Sequence, residues 1–335
     1  EREILALVGE SGSGKSISAR VLMKLLPKSA IVGKATRITL HGEDMSGYTE
    51  QDMRKIRGKK IGMIFQEPMT SLNPIYTVGD QIGEIIREHN RTISKQALRE
   101  QVLSLLTEMQ LPDPEKRIDQ YPHQMSGGQR QRVMIAMAMM AEPALLVADE
   151  PTTALDATVQ AQVLDLIEDL RNDTGAAVAL ITHDMGVIAR MAQRVSVMRR
   201  GEVVETGTVE DIYSAPKAEY TKMLLKAVPR IDGERYVALP DPDTGPPILN
   251  VEDVRVTFPV KVKGGGIFGA SKPLRAVDGV SFDLRAGETL GIVGESGCGK
   301  STLARAVVQL LPRNAGDVTF LGRNLLPSER EAIRQ

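Results

Sequence analysis

The stretch GESGSGKS at residues 9–16 returns, with one residue changed, as GESGCGKS at residues 294–301. Both fit the pattern G-x-x-x-x-G-K-S. Such a glycine-rich coil lets successive backbone N–H groups curl around phosphate oxygens only if a helix follows and turns its positive end to the same anion. The duplication reaches beyond the coil: EILALVGESGSGKSISAR from Glu3 is echoed by ETLGIVGESGCGKSTLAR from Glu288, and Leu-Leu-Pro recurs at 25–27 and 310–312. A chain that repeats itself this way carries two copies of one domain type, each expected to run apolar strand, coil, helix.

The boundaries follow. Residues 1–228 make the first copy and 248–335 the N-terminal part of a second, which stops short at Gln335. Between them, 229–247 holds five prolines and scattered acids, a composition that builds no core and reads as a linker. The chain starts at Glu1, inside what reads as a strand, so a piece of a longer protein is expected. At 335 residues it exceeds what one core organises. Lys plus Arg (42) and Asp plus Glu (43) nearly cancel, so no long-range pull toward nucleic acid is expected. Cys298 is the only cysteine, which excludes an internal disulfide and cysteine-rich metal sites, and fits a reducing, cytoplasmic compartment. The longest apolar run, residues 133–141, is about half a bilayer span. Any action on a membrane goes through partners.

Within the first copy, apolar strands at 4–8, 61–65, 145–148, 176–181 and 195–198 alternate with helical stretches, among them helices starting at Gly14 and Thr158. This predicts an α/β fold with a mostly parallel sheet. Residues of about 75–141 read as consecutive helices without strands, a helical insertion.

The coil defines the chemistry. In the first copy Gly9, Glu10, Ser11, Gly12, Ser13 and Gly14 offer backbone N–H groups, Lys15 reaches terminal phosphates, and Ser16 can ligate magnesium; Ile17 follows. The second copy presents Gly294, Glu295, Ser296, Gly297, Cys298, Gly299, Lys300, Ser301 and Thr302, with Ser301 as its magnesium ligand. Phosphate and magnesium call for carboxylates. The apolar strand at 145–148 ends in Asp149, placed to hold magnesium, and Glu150 follows, placed to orient or deprotonate water. Gln66 and His183 each follow an apolar strand, where the first can sense magnesium and water and the second can donate to a terminal phosphate. Ser126, Gly127, Gly128 and Gln129 open a strongly apolar helix, whose free N–H groups make a second phosphate binder.

In this order the motifs resemble the ATPase subunit of an ABC transporter: Walker A at 9–16, a Q-loop at Gln66, SGGQ at 126–129, Walker B ending at Asp149 with Glu150, a D-loop with Asp156, and the switch His183. The resemblance covers essentially 1–229 and resumes near Ile248. The stretches at 64–74 and 201–229 are further similar to the dipeptide and oligopeptide importer branch, whose fused two-ATPase members include glutathione importers. It implies a P-loop NTPase of ABC type, with a RecA-like sheet, a helical subdomain and a truncated second copy. It also implies ATP and Mg2+, two integral membrane permease subunits, an indirect extracytoplasmic binding protein, a second ABC domain or homodimer partner, no nucleic acid, and residence at the cytoplasmic face of the inner membrane.

In such pairs each nucleotide lies between the Walker A of one cassette and the SGGQ of the other. The first site's adenine-stacking aromatic is expected before residue 1 and its facing signature beyond Gln335. Phe258 is the candidate adenine stacker of the second site, and residues 261–273 form an insertion between it and the coil. Departures are Met125 where leucine is usual, Ala218 and Glu219 in place of His-Pro before Tyr220 and Thr221, and Ile17 in place of threonine. Two readings stay open beside import: a soluble tandem ABC ATPase acting on ribosomes, and a fragment that binds nucleotide without hydrolysing it.

Overall fold

The computed structural model describes residues 3–33, 35–66, 71–228, 246–261 and 271–325. The expected linker falls almost wholly at 229–245, outside the described residues, as does most of the 261–273 insertion. The chain divides into two compact units, Glu1–Ile231 and Asp232–Gln335.

The first unit is a six-stranded sheet in the order β4-β5-β6-β1-β7-β8. Its strands are β1 (Ile4–Val8), β4 (Ile61–Ile64), β5 (Leu145–Asp149), β6 (Ala177–Ile181), β7 (Arg194–Arg199) and β8 (Glu202–Thr208), with a separate two-stranded β2 (Thr39–Leu40) and β3 (Glu43–Asp44). All pairings in the large sheet are parallel except β7 with β8. Helices cover both faces of the central strands, which is why β1, β4, β5 and β6 read as apolar runs. Side chains alternate between the faces: Leu146 and Ala148 of β5 join one core, and Val147 joins another with Ala19 and Met23 from α1 (Lys15–Leu22) and the residue after it.

The helical insertion consists of α3 (Val78–His89), α4 (Lys95–Glu108), α5 (Pro114–Arg117), a 3-10 turn (Pro122–Gln124) and α6 (Gly127–Met139), after a short α2 (Glu50–Ile56) earlier in the chain. Each long helix has its start written locally, since Thr77, Ser94 and Ser126 accept N–H bonds from residues three positions on. Val78, Ile82, Leu106, Val133 and Ile135 share one core with Ile64 and Leu146, so the block is fused to the sheet. Beyond it come α7 (Ala157–Thr174), α8 (Met185–Met191), α9 (Val209–Ser214) and α10 (Glu219–Lys226). Among the described residues no helix is long and apolar enough to cross a membrane.

The second unit is an antiparallel sheet, β10-β9-β11-β12, from β9 (Leu249–Lys261), β10 (Ser271–Leu284), β11 (Ala315–Phe320) and β12 (Arg323–Asn324), with α11 (Lys300–Val307) packed on it through Leu303 and Ala306. One expectation fails here. Residues 288–293, which match β1 in sequence, form no strand, and Val293 is 91% exposed. In the first unit β1 is hydrogen-bonded between β6 and β7. Among the described residues the second unit has no counterpart of either, and an apolar pentapeptide without ladder partners cannot hold an extended strand.

Candidate functional site

Because β4, β5, β6 and β1 run in one direction and in register (Ile64 opposite Ala148, Ala148 opposite Leu180, Leu180 opposite Ala6), their carboxyl ends meet at one sheet edge. In open α/β sheets ligands bind at that edge. Gln66, Asp149, Glu150, His183 and the coil that follows β1 all sit there.

The coil is shaped by close approach. A methyl added to Gly9 would lie 2.1 Å from the Met198 carbonyl oxygen, so only glycine lets β1 leave the sheet beside β7. Gly14, at φ 103°, is the N-cap of α1 and occupies a conformation that side chains disfavour. Lys15 is 5% exposed and folds back over the coil, donating to the Gly9 carbonyl at 2.8 Å and the Glu10 carbonyl at 2.9 Å. Burial lowers its pKa, and the charges of Glu150 and Asp149 oppose that shift. Ser16 Oγ donates to Asp149 Oδ1 at 2.9 Å. Asp149 is 2% exposed, and burial raises its pKa against that hydrogen bond. Ile17 points outward, 59% exposed, away from these contacts.

Glu150 is the convergence point. Its Oε2 accepts from Gln66 Nε2 at 3.0 Å and from Thr153 Oγ1 at 2.8 Å, and His183 Nδ1 lies 3.2 Å from Oε1. Burial would raise the carboxyl, but the hydrogen bonds from Thr153, His183 and Gln66 outweigh it and hold the pKa below the ordinary glutamate value. The residue has φ 48°, a left-handed conformation uncommon for a non-glycine residue and costing about 1–3 kcal/mol. That turn swings the carboxylate across the strand end toward Gln66 and His183.

The remaining predicted residues make local contacts. Ser126 caps α6 and forms a reciprocal box with Gln129, while Gly127 and Gly128 face Leu155 and Val159, where a methyl on Gly128 would come within 2.4 Å of Val159 Cγ1. Asp156 caps α7, accepting from the Val159 N–H at 2.9 Å. In the second unit the coil closes on itself like the first: Lys300 Nζ donates to the Gly294 carbonyl at 2.6 Å and the Glu295 carbonyl at 2.7 Å, and lies 3.6 Å from Cys298 Sγ. Phe258 pairs with Leu274 across β9 and β10 and is 37% exposed.

Two contacts escape sequence reasoning. Thr153 had a signal, a hydroxyl three residues after an acid at a strand end. Tyr220 had none: its hydroxyl accepts the Glu10 N–H at 3.0 Å across 210 positions, and only the fold brings α10 to the coil.

The family model described as ABC transporter matches residues 1–153 and 277–335, and that of the oligopeptide/dipeptide transporter C-terminal region matches 204–250. The chain is 47% identical over 324 residues to the peptidoglycan transport ATP-binding protein YejF of Agrobacterium fabrum, covering 96% of this chain and 58% of that protein. It is 45% identical over 350 residues to the glutathione import ATP-binding protein GsiA of Salmonella choleraesuis, covering 96% and 56%. The chain thus spans little more than half the length of these curated relatives. Among solved structures, the dimeric post-hydrolysis state of the ATP-binding cassette MJ0796, bound to ADP and Pi, aligns at TM-score 0.55 and 29% identity over 62% of this chain and 86% of that one. A glycine-rich coil with strand-end acids on a mostly parallel α/β sheet agrees with these matches: the chain belongs to the ABC transporter family and has its P-loop NTPase fold.

Proposed function

We propose that the protein binds and hydrolyses ATP to drive import of peptide-class solutes, such as dipeptides, oligopeptides or glutathione, through two integral membrane permease subunits. The observation that carries this is the convergence of a phosphate coil, Asp149 and the three-way held Glu150 carboxylate at one sheet edge. In this reading the N–H groups of the coil cradle the phosphates and Lys15 turns from the Gly9 and Glu10 carbonyls to the terminal phosphates. Glu150 accepts a proton from the attacking water, with Gln66 orienting that water and His183 donating to the terminal phosphate.

Ser16 Oγ and the Asp149 carboxylate are adjacent hard oxygen donors, and the buried carboxylate is under-compensated by one hydroxyl. That pair suits magnesium, which takes one or two protein oxygens and completes its shell with phosphates and water. Gln66, which donates to the neighbouring Glu150 carboxylate, would be a further ligand of that ion. Bound there, the ion would neutralise charge on the phosphates. The SGGQ segment, with free N–H groups at the start of α6, serves a nucleotide held by an opposing cassette, and Phe258 is the proposed adenine stacker beside the second coil. The protein works at the cytoplasmic face of the inner membrane, fed by an extracytoplasmic binding protein; the importer reading of the solute rests on the match at 204–250 and on the relatives' names.

Reconstituted with its permease pair in proteoliposomes, the protein is expected to hydrolyse magnesium ATP faster when peptide-loaded binding protein is added. No hydrolysis with every component present would refute the reading. The second coil has its own check: alkylation of the exposed Cys298 should slow when magnesium ATP is added. Equal rates would remove that coil from the nucleotide sites.

A further inference from the structure

The tail of the first unit folds back on its phosphate coil. β7 and β8 turn at Arg200 and Gly201, and the Gly201 N–H donates to the Ser13 carbonyl at 2.9 Å. Farther along, Glu205 on β8 accepts the N–H bonds of Lys217 and Ala218 at 2.7 and 3.0 Å. Ala218 is the N-cap of α10 and has no side-chain cap of its own, so a carboxylate from the neighbouring strand takes that part and meets the helix's positive end. Held in this way, α10 delivers Tyr220 to the coil. The Tyr220 side chain is buried, the Arg199 guanidinium lies 4.8 Å from its ring centroid, and its hydroxyl accepts the Glu10 N–H at 3.0 Å.

The Glu10 residue is thereby bonded on both sides. Its carbonyl accepts the Ser13 N–H at 3.1 Å and Lys15 Nζ at 2.9 Å, and Gly9 before it is wedged against Met198. A site whose backbone is already fixed gives up less conformational freedom when a ligand arrives. The second coil serves as an internal comparison. It makes the same self-contacts, Cys298 N–H to the Glu295 carbonyl at 3.2 Å and Lys300 to both carbonyls, and its unit has no counterpart of α10 among the described residues. The coil therefore forms without the tail. What the tail adds is a hold on the Glu10 amide.

We infer that Tyr220 is a positioning residue for nucleotide binding: its hydroxyl, carried by the tail helix, keeps the first phosphate coil in its binding shape. The inference rests on the nucleotide-binding reading above. Tyr220→Phe removes the hydroxyl and keeps the ring against Arg199. In a Lys300→Ala background, where only the first coil reports, titration with magnesium ATP should show a Kd weakened about three- to tenfold by Tyr220→Phe, the range expected for one neutral hydrogen bond. The Glu10 amide should exchange with deuterium faster, and the thermal midpoint without nucleotide should fall by no more than about 4 °C. An unchanged Kd, with ATP still bound, overturns the inference and leaves the function standing. A weakened Kd with the Glu10 amide still protected assigns the effect to packing and also overturns it. No binding in the Lys300→Ala parent overturns the nucleotide reading, and the inference with it.

Discussion

Glu150→Gln should leave ATP affinity within about twofold and lower turnover of the assembled transporter by about 10²–10⁴-fold, the usual contribution of a general base. The substitution is nearly isosteric. Gln66 and Thr153 donate to one carboxylate oxygen at 3.0 and 2.8 Å, and an amide oxygen can keep both. The amide NH2 then faces His183 Nδ1, 3.2 Å from the other oxygen, which must turn acceptor, and the side chain loses its basicity. Those donors also explain why Glu150 is ionised and ready, since they outweigh the upward push of burial on its pKa. Steady-state phosphate release measured beside equilibrium ATP binding separates the two effects. Turnover surviving within a few-fold would mean that another group takes the proton.

Lys15→Ala should weaken ATP binding at the first coil by about 100-fold or more, because it removes the one cation folded into the coil. The Gly9 carbonyl loses its lysine donor, the Glu10 carbonyl keeps only the Ser13 N–H, and Asp149 and Glu150 lose the buried positive charge that faces them. A buried charge left without its partner costs several kcal/mol, so the carboxylates would repel an incoming polyphosphate more strongly. Lys15→Arg should not restore affinity, since a planar fork cannot replace a compact ammonium in a coil already tight against β7. Nucleotide titration in the Lys300→Ala background checks both variants. Retained affinity in Lys15→Ala would place the phosphates elsewhere.

The parts of the site that were legible in the sequence are those set by neighbours along the chain. Ile4–Val8 reads as a strand and is one, because five apolar residues bounded by charge and glycine have little else to do between two helical layers. The helical insertion is legible from its missing strands; Thr77, Ser94 and Ser126 cap its helices. Lys15, Ser16 and Asp149 are legible because a phosphate coil and strand-end acids are local patterns. The left-handed turn at Glu150 and the meeting of its carboxylate with Gln66 and His183 are not, since both depend on where the strand end meets the ends of β4 and β6.

The sequence by itself determined that there are two glycine-rich coils of one pattern, that each is followed by a helix, and which charged side chains lie in and after the first. The tertiary structure alone decided what those pieces become. The apolar motif at residues 4–8 is a central strand because β6 and β7 supply its ladder partners. It likewise brought Tyr220 to Glu10. A hydrogen-bond ladder and a contact spanning 210 positions are properties of neighbours in space, and neither is written in the residues that use them.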